Sequence, residues 1–180
     1  MRTILFLLFF FTLNAWSQRI SVNEIDEFTN TKKIKSDASA GKKWKQSDDV
    51  AEGLFNILFI SSEYHENSEH SFLIITLDFQ VTGLICLADN SEAILLLENK
   101  ETISIKNTAN TNCEHNRIFG RYSFSKEKTA QIDLLTKLSQ NPIDKIRIYT
   151  TEGYLNFTIK KDKKEIIQNH FELLKATILQ

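Results

Sequence analysis

Apolar residues along this chain fall into short runs, and the runs switch between two periods. Between residues 55 and 124, they are five to eight residues long, rich in β-branched and aromatic side chains, and bounded by polar turn residues, the pattern of antiparallel strands. Residues 25–35 alternate weakly and predict an edge strand, followed by a polar loop over 37–49 that holds Lys42, Lys43, Trp44 and Lys45. Residues 55–61 (FNILFIS) and 72–79 (FLIITLDF) predict a hairpin with residues 63–71 as its spacer. Three shorter runs at 84–88, 93–98 and 102–106 predict an antiparallel meander, residues 107–116 a second long polar loop, and 118–124 another strand.

The helical period appears next. Ile132, Leu135 and Leu138 recur at three-residue spacing, Leu134 widens the stripe, Ser125 offers an N-cap and Asn141-Pro142 forbids continuation. Strict alternation returns over 143–150 and 154–159, joined by Thr151-Glu152-Gly153. Asp162 with Glu165 three residues on suggests a capping box, and Ile167, Phe171, Leu174 and Ile178 trace one face of a final helix. The expectation is an α+β fold. A mainly antiparallel sheet, built of a meander and a C-terminal β-α-β-β-α unit, carries two helices on one face.

The first residues read differently. Arg2, the apolar run ILFLLFFFTL at 4–13 and the small residues Ala15 and Ser17 match a secretory signal peptide over 1–17, cleaved before Gln18. The apolar run is about ten residues, against roughly twenty for a membrane-crossing helix, so no transmembrane segment is expected once the leader is removed. Residues 18–180 then form one domain of ordinary size. Export to the periplasm or cell exterior gives Cys86 and Cys113 a compartment where a disulfide persists. Such a bridge closes about 27 residues and contributes roughly 3 kcal/mol in the chain-entropy model. The competing reading leaves Cys86 as a buried small hydrophobe and Cys113 free in a loop.

Formal net charge is −1, so no overall field draws nucleic acid. The chain has no glycine-rich phosphate loop, dinucleotide fingerprint or Gly-x-Ser-x-Gly elbow, and no cofactor is expected. Residues 62–70 gather His65 and His70 with Glu63, Glu66 and Glu69. The two histidines are five apart, which breaks the zinc-protease spacing, but facing each other across a hairpin mouth with Glu69 or Glu63 they form a candidate metal site. A polar, solvated turn explains the same residues.

The final hairpin carries the more specific signal. Its alternation puts Ile146, Ile148, Leu155, Phe157 and Ile159 on the side the helices cover, and Arg147, Tyr149, Tyr154, Asn156 and Thr158 on the other. Tyr and Arg combine large contact area with a directional polar end, so Arg147, Tyr149, Tyr154 and Asn156 are the candidate binding residues for a protein or glycan partner.

In its phenylalanine-rich leader ending before Gln18 and in general architecture, the chain resembles small secreted proteins of Gram-negative bacteria whose role is unknown. The resemblance carries no active residue across. The expected function is non-enzymatic recognition outside the cytoplasm, through the open sheet face or the adjacent loop at 107–116. The alternative is a small secreted hydrolase assisted by a metal at His65 and His70.

Overall fold

The structure, a computed structural model, describes residues 18–39, 58–87, 90–108, 112–124 and 127–180. The predicted leader at 1–17, the lysines around Trp44 and the predicted helix cap Ser125 lie outside the described residues. Seven strands come first: β1 (Gln18–Asp26), β2 (Thr31–Ser39), β3 (Leu58–Glu66), β4 (Ser71–Leu87), β5 (Glu92–Leu97), β6 (Thr102–Asn107) and β7 (Asn112–Phe124). Helix α1 (Lys128–Gln140), strands β8 (Ile143–Thr150) and β9 (Gly153–Thr158), and helix α2 (Lys161–Ile178) follow. All nine strands join one antiparallel sheet in the order β1-β2-β3-β4-β7-β6-β5-β8-β9. This is the α+β fold expected, ending in β-α-β-β-α.

Alternation gives the sheet two unlike faces. Ile34, Ile60, Leu73, Leu77, Leu95, Ile105, Ile118, Ile146 and Phe157 are buried on one side, where Leu134, Leu135 and Leu138 of α1 and Ile167, Phe171 and Leu174 of α2 complete the core. Polar ties set the helices on this layer. Gln131 Nε2 donates to the Ser71 carbonyl at 2.9 Å, tying α1 to the sheet, and Gln168 Nε2 of α2 donates to the Ser139 carbonyl of α1 at 2.6 Å, tying the two helices together. Lys164 Nζ bridges Asp144 (2.7 Å) and Glu98 (2.8 Å), and its hydrogen bond holds the Asp144 carboxyl below the usual carboxylate range. Among the described residues, no helix is long and apolar enough to cross a membrane.

Several elements differ from the sequence expectation. The predicted edge strand at 25–35 is interrupted by a turn: Asp26 Oδ1 accepts the N–H groups of Phe28 (2.9 Å) and Thr29 (3.0 Å), Asn30 takes φ of 51°, and β1 and β2 form a hairpin. Residues 63–66 belong to β3, and only 67–70 turn, with Asn67 Oδ1 accepting from Glu69 and His70 N–H at 2.9 and 2.7 Å. Residues 84–87 of the predicted strand at 84–88 are the far part of β4, separated by a register shift where Gly83 takes φ of 96°, and residue 88 lies outside the described residues.

The predicted loop at 107–116 contains the start of β7, because backbone pairing of 112–115 with 84–87 orders a segment whose sequence has no strand pattern. The meander is therefore β5-β6-β7, running back to lie beside β4. Neither helix has a side-chain cap: Glu127 and Lys160 stand at the N-cap positions without capping bonds. Because α2 begins at Lys161, Asp162 falls inside its first turn, where its charge favours the helix N-terminus, and no capping box forms with Glu165.

The sheet is strongly bent. Phe79 of β4 stacks on Phe157 of β9 with centroids 4.0 Å apart, and Thr151 N–H, in the β8–β9 turn, donates to the Cys86 carbonyl at 3.0 Å. On the inner face, Gly120 lies beneath the ring of Tyr122, whose nearest atom is 2.5 Å from where a Cβ would stand. The outer face carries the polar and aromatic side chains considered next.

Candidate recognition surface

The β8–β9 hairpin turns through Thr151 and Glu152 and re-enters the sheet at Gly153, whose φ of 130° favours glycine. This tight turn fixes the register, setting Arg147 opposite Asn156 and Tyr149 opposite Tyr154. All four residues meet on the outer face. Arg147 Nε donates to Asn156 Oδ1 at 2.8 Å, and its guanidinium lies 4.1 Å from the centre of the Tyr154 ring, well within cation–π range. Tyr149 meets Tyr154 edge-on, with centroids 6.2 Å apart and planes at 65°. Tyr154 is exposed, and Arg147, Tyr149 and Asn156 are half-buried. A guanidinium stacked and hydrogen-bonded in this way is held in one orientation.

Beside it lies a hollow of about 250 Å³ lined by Ile94, Leu96, Thr102, Lys145, Arg147 and Asn156. Sequence reasoning missed the part contributed by β5 and β6. The signal was present in Ala93-Ile94-Leu95-Leu96-Leu97: an antiparallel strand that is apolar at successive positions puts apolar side chains on both faces of its sheet.

The other half of the outer face is a charge network. Glu63 is approached by Arg121 Nη2 (3.5 Å), His65 Nε2 (3.6 Å) and Lys35 Nζ (3.8 Å). Arg117 donates to both oxygens of Asp78 at 2.8 and 2.7 Å, and its cation lies 5.0 Å from the Phe119 ring centre. His65 also stacks on Phe72, with centroids 4.6 Å apart. His70 and Glu69 lie in the β3–β4 turn and line a separate cavity of about 450 Å³ with Glu66, Phe72, Glu127 and Lys128; His65 is not in that lining. Lys128 Nζ occupies both oxygens of Glu66, at 2.7 and 3.0 Å. Among the described residues, no group of three or more His, Cys, Asp or Glu side chains is placed to hold a metal ion.

Two further sites bear on chemistry. Cys86 and Cys113 face each other on β4 and β7 and are joined as a disulfide, with Cα atoms 4.1 Å apart. On the inner face, Ser62 Oγ and His170 Nε2 are 2.9 Å apart, a contact between β3 and α2 that the sequence did not suggest. Burial pushes the His170 ring down to about 4, so it is neutral at ordinary pH. Both residues are fully buried. A serine and histidine sealed beneath a helix tie that helix to the sheet and have no contact with solvent.

No protein-family model, curated protein or solved structure matches this chain.

Proposed function

We propose that this protein is a non-enzymatic recognition module of the periplasm or cell exterior, binding a partner protein or glycan through the outer face of β8 and β9. The observation that carries the reading is the Arg147 guanidinium, fixed between Asn156 and the exposed Tyr154 and opening on an adjacent hollow. A purely structural cation would gain little from such restraint, whereas a binding surface gains pre-organisation and a rigid aromatic contact. The apolar leader followed by small residues and the paired cysteines support export.

Affinity capture from envelope and culture-supernatant fractions, with the oxidised protein from Gln18 onward as bait, tests this function. One dominant partner, competed by untagged protein and lost from the Tyr149→Ala and Tyr154→Ala variants at nearly unchanged melting temperature, is the expected result. A partner retained by both variants would overturn it.

A further inference from the structure

Resting on that reading of the outer face, we propose that the hollow beside Arg147 receives an acidic side chain from an extended segment of a partner protein. Its carboxylate engages Arg147 and Lys145, and an apolar neighbour in the same segment covers Ile94 and Leu96.

Charge complementarity is the first argument. Among the described residues, Arg147 and Lys145 form no ion pair; Arg19, Lys32, Lys33, Lys100, Lys106, Lys160 and Lys161 form none either, but Arg147 and Lys145 are the two that line one hollow together. The carboxylates nearest in sequence and register are engaged or placed elsewhere. Asp144 and Glu98 are held by Lys164, Glu101 by Lys137, and Glu92 stands opposite Lys106. Lys145 feels the charge of Asp144, but that carboxylate is held by Lys164, so two cations line the same hollow with no ion pair of their own.

Arg147 then specifies the geometry. Its Nε is committed to Asn156 and its π-face to Tyr154, which leaves the two Nη groups as donors. A guanidinium held in its plane presents a fork that matches a planar carboxylate. The hollow's size argues for a segment over a free small molecule. At about 250 Å³, it falls below the range of roughly 300–1,000 Å³ in which small ligands are enclosed, yet it accommodates one or two side chains of an extended chain. Its half-buried Ile94 and Leu96 supply the apolar floor that such a chain would cover.

The probe is a capped peptide of alternating leucine and glutamate, titrated into isotope-labelled, oxidised protein and followed by NMR; the same peptide with glutamine is the control. The glutamate peptide should shift the Arg147 side-chain N–H and the amides of β5 and β8, and added salt should weaken its binding. Arg147→Lys should weaken it by about ten-fold, because the charge survives but the fork is lost. Arg147→Gln should bring the response to that of the glutamine control, with an otherwise native spectrum. Equal binding of the two peptides, shifts centred on Lys35 and Arg121, or no shift at all would overturn the assignment. A partner that needs Tyr149 but ignores Arg147→Gln and Lys145→Gln, a glycan included, would overturn the carboxylate site and leave the recognition face standing.

Discussion

Phe79 and Phe157 stack with ring centroids 4.0 Å apart, although β4 and β9 stand five places apart in the sheet order. Five strand spacings in a flat sheet amount to about 24 Å. The sheet must therefore curl until its β4 region meets the β8–β9 hairpin. The hydrogen bond from Thr151 to Cys86 crosses the same seam. The hairpin that carries Arg147 and Tyr154 is thus braced from the inner side by Phe157 and at its tip by Thr151, which keeps its outer face in fixed geometry.

Removing the seam contact should be costly. Phe157 is fully buried, and Phe157→Ala is expected to lose about 3–5 kcal/mol of stability in urea unfolding. A loss below about 1 kcal/mol would mean that the two rings do not hold the curl.

Gly120→Ala should destabilise by about 1–3 kcal/mol, because the added methyl meets the Tyr122 ring. The cause is specific to that ring, so in a Tyr122→Ala background the same substitution should cost far less. A double-mutant cycle with no coupling would place the strain elsewhere.

Acid should weaken the tie between α2 and the sheet. Burial lowers His170 from its ordinary 6.5 to about 4, with Asp37 opposing weakly, so the unfolded chain takes up the proton first. The resulting stability is fully present above pH 6.5 and declines as pH falls toward 4, by roughly 3 kcal/mol. Unfolding free energies of the native protein and His170→Gln, compared across this window, should converge as pH drops. Parallel profiles would remove His170 as the source.

The bridge between Cys86 and Cys113 closes 27 residues of sequence, and replacing both cysteines with serine should cost about 2–4 kcal/mol. Intact mass under non-reducing conditions, with and without thiol alkylation, checks the pairing itself. Two alkylated thiols on the folded protein would refute it.

What the sequence disclosed follows how local each determinant is. Strand 143–150 and the helix ended by Asn141-Pro142 were legible because periodicity and a chain breaker act within a few residues. The convergence of Arg147, Tyr149, Tyr154 and Asn156 was legible for the same reason, since a tight turn fixes their register. Ile94, Leu96 and Thr102 were not, because their place beside Arg147 depends on β5 pairing with both β6 and β8. Strand 112–115 was hidden too. Its order comes from β4 across the sheet and from the disulfide, and its own residues carry no alternation.

The curl also imposes a sequence of events. Hairpins β1–β2, β3–β4, β5–β6 and β8–β9 join neighbouring stretches of chain and can form early, with short loops to close. The seam joins residues 79 and 86 to residues 157 and 151, so it closes only after the last strand exists. During synthesis, the chain therefore remains open at that seam until its C-terminal hairpin arrives. The hairpin that carries Arg147 and Tyr154 is thus among the last pieces to find its place, and only α2, which caps the core, comes from later in the chain.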